Sequence, residues 1–215
     1  MQKLNQQPDI CPYFSPEFKV IPQYIIMKEG ECMELNNRTT SFFIFILSGE
    51  ITISFEQYTN RSVLENEMFF LPKNNCFKWK AVTQTVLILT GYNATIFPCT
   101  SVRARILYKI KAGVKFDCRG VVMKDEVKVV VNQMKHYLES GINCHHMYIL
   151  KHKELYLMFK HFYTYEEIIQ IFYLILGSNP LFNERVLDNY LKVKTVKELA
   201  GLLGYGIKTF EKLFS

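Results

Sequence analysis

Residues 195–215, TVKELAGLLGYGIKTFEKLFS, restrict the fold more than any other stretch of the chain. The first part has four small or apolar residues at helical spacing, namely Val196, Leu199, Ala200 and Leu203. This spacing of i, i+3, i+4 and i+7 predicts a helix with one buried stripe. Thr195 followed by Glu198 is the pattern of a capping box, and Gly204 suits the left-handed residue that closes a helix. The pattern therefore predicts a short helix that ends at a glycine turn.

A second predicted helix follows the turn and has two opposite faces. The apolar face, which we expect to be buried, consists of Ile207, Phe210, Leu213 and Phe214. The polar face repeats the helical spacing with Lys208, Glu211, Lys212 and Ser215. An ordinary helical hairpin inside an all-α core would explain the apolar stripes alone. The polar stripe, the capping pattern and the small Ala200 together favour a helix-turn-helix motif, whose second helix can lie in the DNA major groove.

Over KELAGLLGYGIKTFEKLF, residues 197–214, the chain resembles the first helix-turn-helix of the AraC family of bacterial transcription regulators. The resemblance covers the letters ELA, the turn Gly204 and the letters TFEKLF, which end on Phe214. It implies DNA binding under the control of an N-terminal domain. Family members carry a second helix-turn-helix after a long connecting helix, whereas this sequence stops at Ser215. We expect either a truncated product or a chain that has lost half of its DNA clamp.

The polar face of the second helix supplies the residues that we expect to face the bases. Lys208 and Lys212 can donate to guanine O6 and N7 or to phosphate, and Glu211 can accept from cytosine N4. The recognition helix of the resembled family makes its base contacts at the same positions. Thr209 and Ser215 flank these three residues and complete the predicted set.

Positive charge is concentrated toward this end of the chain. The formal net charge is +6, with ten basic and nine acidic residues up to position 107 and sixteen and eleven from position 108 onward. We expect Gly206, at the helix N-terminus, to approach the DNA phosphates together with Lys194 and Lys197. The sign of the charge suits a phosphate partner, although an ordinary soluble surface could also carry it.

The first half of the chain reads as short strands rich in Ile, Phe, Val, Thr and Tyr. The predicted strands are 24–28, 41–47, 50–56, 68–71, 76–81, 85–90 and 103–110, with breaks at 28–30, 36–37, 48–49, 59–60, 72–75 and 91. Short strands at this spacing predict an antiparallel sandwich or barrel. The order FILSGEITISF … LENEMFFLPKNNCFKWKAV resembles a cupin-type jelly roll, as in AraC effector-binding domains, with Asn66 and Glu67 where Gly-Asp is usual.

The strand region lacks the histidines that a metal-dependent cupin enzyme needs. Positions 36–45 contain no His, and Phe77 stands where the later His of such enzymes would fall. We therefore predict no metal, no cofactor and no catalytic residue. Trp79 and Tyr92 could line a sugar-like or aromatic pocket, but packing is the favoured role for both. A cyclic-nucleotide regulator is a weaker alternative, because 69–86 lacks the Gly-Glu and Arg of its phosphate cassette.

The middle of the chain changes to helical spacing. One helix begins near Lys124 and closes at Gly141, another helix or helix pair spans 147–162, and Thr164 with Glu167 forms a capping box that opens 165–176. A further helix is predicted over 182–190. The apolar face of the third helix, Ile168, Ile171, Phe172, Ile175 and Leu176, favours core packing over a dimer surface. The histidines at 145, 146, 152 and 161 do not share one face, so solvated side chains are favoured over a metal cluster.

No apolar run in the sequence reaches about 18 residues, and the N-terminus lacks the apolar core of a signal peptide. The six cysteines form no CxxC pair and sit in apolar surroundings, as reduced cytosolic thiols do. We therefore expect a cytoplasmic protein that has no membrane partner.

The sequence as a whole predicts an α+β protein in three parts. Residues 1–115 form a cupin-like jelly roll that binds an effector or mediates dimerisation, 116–180 a helical connector, and 181–215 a partial helix-turn-helix domain. The predicted function is DNA-binding transcription regulation of AraC type, not catalysis. The expected partners are double-stranded DNA, an unidentified small-molecule effector and a possible second copy of the chain. The alternative is a ligand-binding or oligomerising cupin-like protein that has lost DNA binding with its second helix-turn-helix.

Overall fold

The computed structural model describes residues 22–37, 40–56, 58–73, 75–92, 118–142, 144–173, 182, 185–186 and 189–214. The strands are β1 (Gln23–Met27), β2 (Cys32–Asn37), β3 (Ser41–Ser48), β4 (Glu50–Phe55), β5 (Tyr58–Leu64), β6 (Glu67–Leu71), β7 (Asn75–Ala81), β8 (Thr85–Tyr92) and β9 (Val121–Val122). Six of the seven predicted strands are confirmed to within two residues at either end. The seventh, at 103–110, lies outside the described residues.

The strands form two antiparallel sheets. The helix-side sheet has the order β1-β8-β3-β6-β9, and the open sheet has the order β2-β7-β4-β5. The pairs are nested, since β1 pairs with β8, β2 with β7, β3 with β6 and β4 with β5. The pairing thus runs from the first and last strands of this region inward to the adjacent strands β4 and β5, which is the connectivity of a jelly roll. The predicted jelly roll is confirmed by this strand order.

Three strands were not predicted: β2 and β5, whose sequences are mostly polar, and the two-residue β9. The breaks predicted at 36–37, 59–60 and 91 are wrong, since these residues lie within β2, β5 and β8. In β5, Asn60 takes a φ of +48°, and its N–H donates to Ser54 Oγ at 2.9 Å. Asn tolerates the left-handed region better than most residues, so it marks an irregularity inside the strand rather than its end.

The helices are α1 (Asp125–Glu139), α2 (His145–Phe162), α3 (Tyr165–Phe172), a short 3₁₀ helix (Tyr190–Lys192), α4 (Val196–Leu202) and α5 (Ile207–Phe214). The helix predicted from Lys124 is α1. Region 147–162 forms one helix, not two. The capping box predicted at Thr164 is confirmed, with Glu167 N donating to Thr164 Oγ1 at 3.2 Å and Thr164 N to the Glu167 carboxylate at 2.8 Å.

Two hydrophobic cores share the helix-side sheet. One fills the space between the two sheets and includes Phe77, Trp79 and Cys118. The other lies between the opposite face of the helix-side sheet and helices α1–α3. Ile168, Ile171 and Phe172 are buried in this second core, so core packing of α3 is confirmed and the dimer-surface interpretation is wrong for these three residues. Ile175 and Leu176 lie outside the described residues.

Tyr163 fixes the corner between α2 and α3 to the last strand. Its hydroxyl donates to Val122 O at 3.0 Å and accepts from Lys124 N–H at 2.8 Å. The Lys124 ammonium in turn lies 2.8 Å from the Glu167 carboxylate of the capping box. The start of α1, the end of α2 and the start of α3 therefore meet at one side chain.

Candidate nucleic-acid interface

Thr195 caps the start of helix α4, but only half of the predicted capping box forms. Thr195 Oγ1 accepts from Glu198 N–H at 3.2 Å, as a capping threonine does. The Glu198 carboxylate accepts from Lys194 N–H at 2.9 Å, one residue before the expected Thr195. The donor predicted for the reciprocal bond is therefore wrong, although both side chains still satisfy free backbone groups at the helix start.

The turn between α4 and α5 is a Schellman motif. Gly204 takes a φ of +78°, as predicted from its place after the apolar stripe. Its N–H donates to Gly201 O at 3.0 Å, and Tyr205 N–H donates to Ala200 O at 2.8 Å. These two bonds satisfy carbonyls that the end of α4 leaves free, and they fix the direction in which the chain enters α5.

The two helices share a small core of their own. It is built from Phe182, Val186, Leu199, Ala200, Leu203 and Phe210, with Val193, Tyr205 and Leu213 packed against it. The Phe182 ring centroid lies 5.2 Å from that of Phe210 and 5.4 Å from that of Tyr205, both edge to face. Ala200 is 1% exposed, so its small side chain lies inside this core.

Two of the residues predicted to be buried in this core are not. Val196 is 56% exposed and Ile207 is 38% exposed. Each stands at the first position of its helix, a turn away from the buried Leu199 or Phe210, where the small core does not reach. The Phe214 side chain lies outside the described residues. The periodicity predicted which face of each helix is buried, but not how much of the length of that face the core covers.

Seven of the eight predicted DNA-contacting residues are solvent-exposed. They are Lys194, Lys197, Gly206, Lys208, Thr209, Glu211 and Lys212. Ser215 lies outside the described residues. Within α5, Lys208, Glu211 and Lys212 lie on the face opposite the buried Phe210. The exposed set thus forms an open polar surface, and its contact with DNA stays a prediction.

The charge on this helical unit is uneven. Residues 190–214 contain five lysines, all exposed, and two glutamates. The lysines are Lys192, Lys194, Lys197, Lys208 and Lys212. An excess of cations on a small helical unit attracts polyanions, including the phosphate backbone of DNA.

The two candidate ligand-binding residues, Trp79 and Tyr92, lie in different parts of the structure. Trp79 is 2% exposed and lies between the two sheets with Phe77, so packing is confirmed for it. Tyr92, at the end of β8, instead lines a cavity between the helix-side sheet and α2. Burial raises the pKa of Tyr92, and the neighbouring Tyr156 adds to this shift.

Two of the histidines predicted to be solvated are buried. His145 is 8% and His152 is 6% exposed, while His161 is exposed. His152 Nδ1 lies 2.6 Å from Tyr148 O, which can only accept, so Nδ1 carries the proton. Nε2 then accepts from Thr90 Oγ1 at 2.9 Å. Burial lowers the His152 pKa to about 4, because the charged imidazolium would lose its hydration.

Among the described residues, no group of three or more His, Cys, Asp or Glu side chains could hold a metal ion. Within the same ranges, no helix combines the length and the apolar character that crossing a membrane would require.

Comparison with known proteins gives similarity in structure only. No family model matches the chain, and no curated protein sequence matches it. Among solved structures, the Cnp3 cupin domain of Schizosaccharomyces pombe aligns at 19% identity and a TM-score of 0.34, covering 39% of this chain and 62% of that one. A conserved protein of unknown function from Streptococcus pyogenes aligns at 19% identity and a TM-score of 0.31, covering 34% and 62%.

A third structure, KdgF from a Halomonas species, aligns at 12% identity and a TM-score of 0.30, covering 34% of this chain and 70% of that one. The chain thus spans about 62% of the first two structures that it matches. Because these TM-scores are low, the alignments carry no argument, and the assignment of residues 23–92 to a cupin-like jelly roll depends on the strand order described above.

Proposed function

We propose that this chain is a DNA-binding transcription regulator of AraC type, whose C-terminal helix pair reads a DNA sequence in the cytoplasm. The observation that supports this proposal is that helix α5 has one buried apolar face and one exposed polar face. Its Phe210 is 1% exposed, whereas Lys208, Glu211 and Lys212 on the other side are exposed. The apolar face of α5 packs on a small core and its polar face points outward. This arrangement allows the second helix of a helix-turn-helix to enter a major groove.

The exposed residues divide into two roles under this proposal. Lys208, Glu211 and Lys212 would face the base edges, with Thr209 and Ser215 beside them. Two lysines match the O6 and N7 acceptors of guanine, and one glutamate matches the N4 donor of cytosine, so the preferred half-site is rich in G·C pairs. Lys194, Lys197 and the α5 N-terminus at Gly206 would lie against the phosphates and set the register of the helix.

The jelly roll and helices α1–α3 would provide control in this proposal. The expected partners are double-stranded DNA, a small-molecule effector and a second copy of the chain, because paired half-sites call for a paired protein. The proposal includes no enzymatic activity. The competing function is ligand binding or oligomerisation without DNA recognition, and the experiment below separates the two.

The test is selection from a pool of random duplexes, followed by gel-shift titration of the selected sequence. We expect a reproducible site that contains G·C pairs. The double substitution Lys208→Gln and Lys212→Gln should abolish selection, because it removes the two base-directed donors. The matched control, Lys78→Gln with Lys80→Gln, also removes two exposed lysines, but from β7.

The control shares the loss of charge with the test variant but leaves α5 unchanged. We therefore expect it to select the same sequence with affinity reduced only slightly. Equal losses from both double variants would indicate a nonspecific electrostatic effect and would refute sequence recognition by α5. Failure of the unmodified chain to enrich any sequence would favour the alternative function.

A further inference from the structure

Helix α2 carries two exposed leucines on the side opposite its buried stripe. Leu150 is 63% exposed and Leu157 is 47% exposed. They lie seven residues apart, so they share one face of the helix. Each stands two residues after a buried member of the core stripe, Tyr148 or Leu155, which is about 200° around the helix. The two leucines therefore point away from the core that holds α2.

The two residues midway between these leucines carry opposite charges. Lys153 is exposed, and it has no hydrogen bond or ion pair within the part of the chain that the structure describes. The Glu154 side chain is 40% exposed, and its carboxylate lies 2.8 Å from the Lys151 ammonium. A carboxylate has about four acceptor positions, so Glu154 can still bind a second cation that approaches from outside.

The order of these four residues is symmetric about the midpoint between Lys153 and Glu154. If a second copy of α2 lies antiparallel on this face with the two midpoints opposite, Leu150 of each copy contacts Leu157 of the other. At the centre, Lys153 of each copy then lies against Glu154 of the other. A parallel copy would instead place Lys153 against Lys153, where like charges repel. The sequence of the face therefore suits a copy of itself, in one orientation.

We propose that this chain forms a two-fold homodimer by antiparallel packing of the solvent face of α2, which consists of Leu150, Lys153, Glu154 and Leu157. A two-fold contact uses the same patch on both copies, as this symmetric face requires. Burial of the leucines supplies the attraction, and the charges select the orientation. One helix face is smaller than the roughly 800 Å² that each partner buries in a standard interface, so we expect a dissociation constant in the micromolar range.

Pairing through this face leaves the core of the molecule unchanged, because Leu155 and Phe159 hold the opposite side of α2 against the sheet. It gives the second copy in the proposed function a defined surface. Its use in bringing two C-terminal helix pairs to one DNA site rests on that function. Pairing itself requires no DNA, so it is measured on the chain alone.

The first experiment is analytical ultracentrifugation of the full chain, without DNA, from about 1 µM to about 100 µM. We expect monomer at the low end and dimer at the high end. Leu150→Ser should weaken pairing at least about tenfold, because both ends of the contact lose a leucine. Leu64→Ser is the matched control, since Leu64 is 46% exposed but lies on β5, and it should change pairing less than about twofold. Monomer at every concentration, or equal effects of the two substitutions, would overturn the proposal.

The second experiment tests the orientation by exchanging charges. Lys153→Glu places carboxylates together at the centre of the contact, and Glu154→Lys places ammonium groups together, so each variant alone should be monomeric. An equal mixture of the two variants should form dimers, because every central contact between them joins a carboxylate to an ammonium. The variant with both substitutions should pair with itself for the same reason.

Two results would refute the antiparallel contact: unimpaired pairing in both single variants, or no pairing in the mixture and in the double variant. Circular dichroism checks the fold, since Glu154→Lys also removes the ion pair with Lys151. If that variant failed to fold, the comparison of Leu150→Ser with Leu64→Ser would still decide the proposal. A negative result here counts against the α2 face alone, and a failed duplex selection leaves the α2 face intact.

Discussion

Arg185 and Leu203 are joined across the small C-terminal core. Arg185 Nη2 donates to the Leu203 carbonyl at 2.8 Å, at the point where α4 ends. The guanidinium carbon also lies 5.7 Å from the centre of the Tyr205 ring. A cation at the C-terminus of a helix satisfies a free carbonyl and opposes the negative end of the helix dipole. One side chain thus holds the turn that directs α5.

Replacing Arg185 should loosen this turn. We expect Arg185→Gln to lower the free energy of unfolding of the helix pair by about 2 kcal/mol, since a charge-assisted hydrogen bond and a cation–π contact are lost together. Hydrogen exchange of the α4 amides measures this change. Arg61→Gln is the control, because Arg61 lies 6.0 Å from the Tyr58 ring on an exposed strand and should cost less than about 1 kcal/mol. Equal protection of α4 in both variants would contradict a capping role for Arg185.

Two glycines of the same helix pair should respond to alanine with opposite signs. Gly204 has a φ of +78°, and an added Cβ would meet nothing within 4 Å, so Gly204→Ala costs about 1 kcal/mol of backbone strain alone. Gly201 lies inside α4 with equally open surroundings, and Gly201→Ala should stabilise by about 0.5–1 kcal/mol. Urea unfolding of both variants measures the two changes. Loss of stability in both would mean that crowding, not backbone conformation, governs the turn.

The sequence predicted most strongly those elements whose buried residues are purely apolar. Strand β4 alternates buried Ile51, Ile53 and Phe55 with half-buried polar residues, and its bounds were predicted to within one residue. Strands β2 and β5 carry Glu, Asn, Arg and Ser, and they are held by pairing with β7 and β4 rather than by their own hydrophobicity. A single sequence shows propensity but not the neighbour that supplies the hydrogen bonds.

Helix α2 shows the same limit of prediction from sequence. Its buried residues include Tyr148, His152, Leu155 and Phe159, whereas the apolar Leu150, Leu157 and Phe162 are exposed. Apolar spacing alone does not reveal this buried stripe, because two of its members, Tyr148 and His152, carry polar groups. The Tyr148 hydroxyl finds its acceptor six residues away, but His152 Nε2 bonds to Thr90, 62 residues away. No local pattern reveals a contact of that range. The α5 surface was accessible to prediction because its two faces differ cleanly in polarity.

The buried His152 should make stability depend on pH. Its folded-state pKa is about 4, below the ordinary value of 6.5, so the unfolded chain binds the extra proton more readily. The stability due to the neutral ring is therefore complete above pH 6.5 and is lost as the pH falls toward 4. Between pH 7 and pH 5 this loss amounts to about 2 kcal/mol. Urea unfolding at the two pH values measures it.

His161 offers a matched control on the same helix. His161 Nδ1 lies 2.8 Å from Leu157 O, the same four-residue spacing as His152 and Tyr148, but His161 is exposed. We expect His152→Gln to lose less stability than the unmodified chain on acidification, and His161→Gln to follow the unmodified chain. Burial lowers the pKa of His145 as well, but His145 is present in all three proteins and cancels in the comparison. Parallel pH profiles for the two variants would contradict the assignment to His152.

The base that is preferred at one position of the DNA site should depend on the side chain at Glu211. A carboxylate accepts from cytosine N4, whereas a glutamine amide both accepts and donates and matches adenine N6 and N7. We therefore expect Glu211→Gln to shift the preferred base at a single position from cytosine toward adenine, with a discrimination of about 1–3 kcal/mol, and to leave the rest of the selected site unchanged. Sequencing of duplexes selected by each protein measures the shift. Glu166→Gln removes one exposed carboxylate from α3 and should leave every position unchanged. A uniform gain in affinity from both substitutions, without a change of base, would mean that Glu211 acts only as a negative charge near phosphate and does not read the sequence.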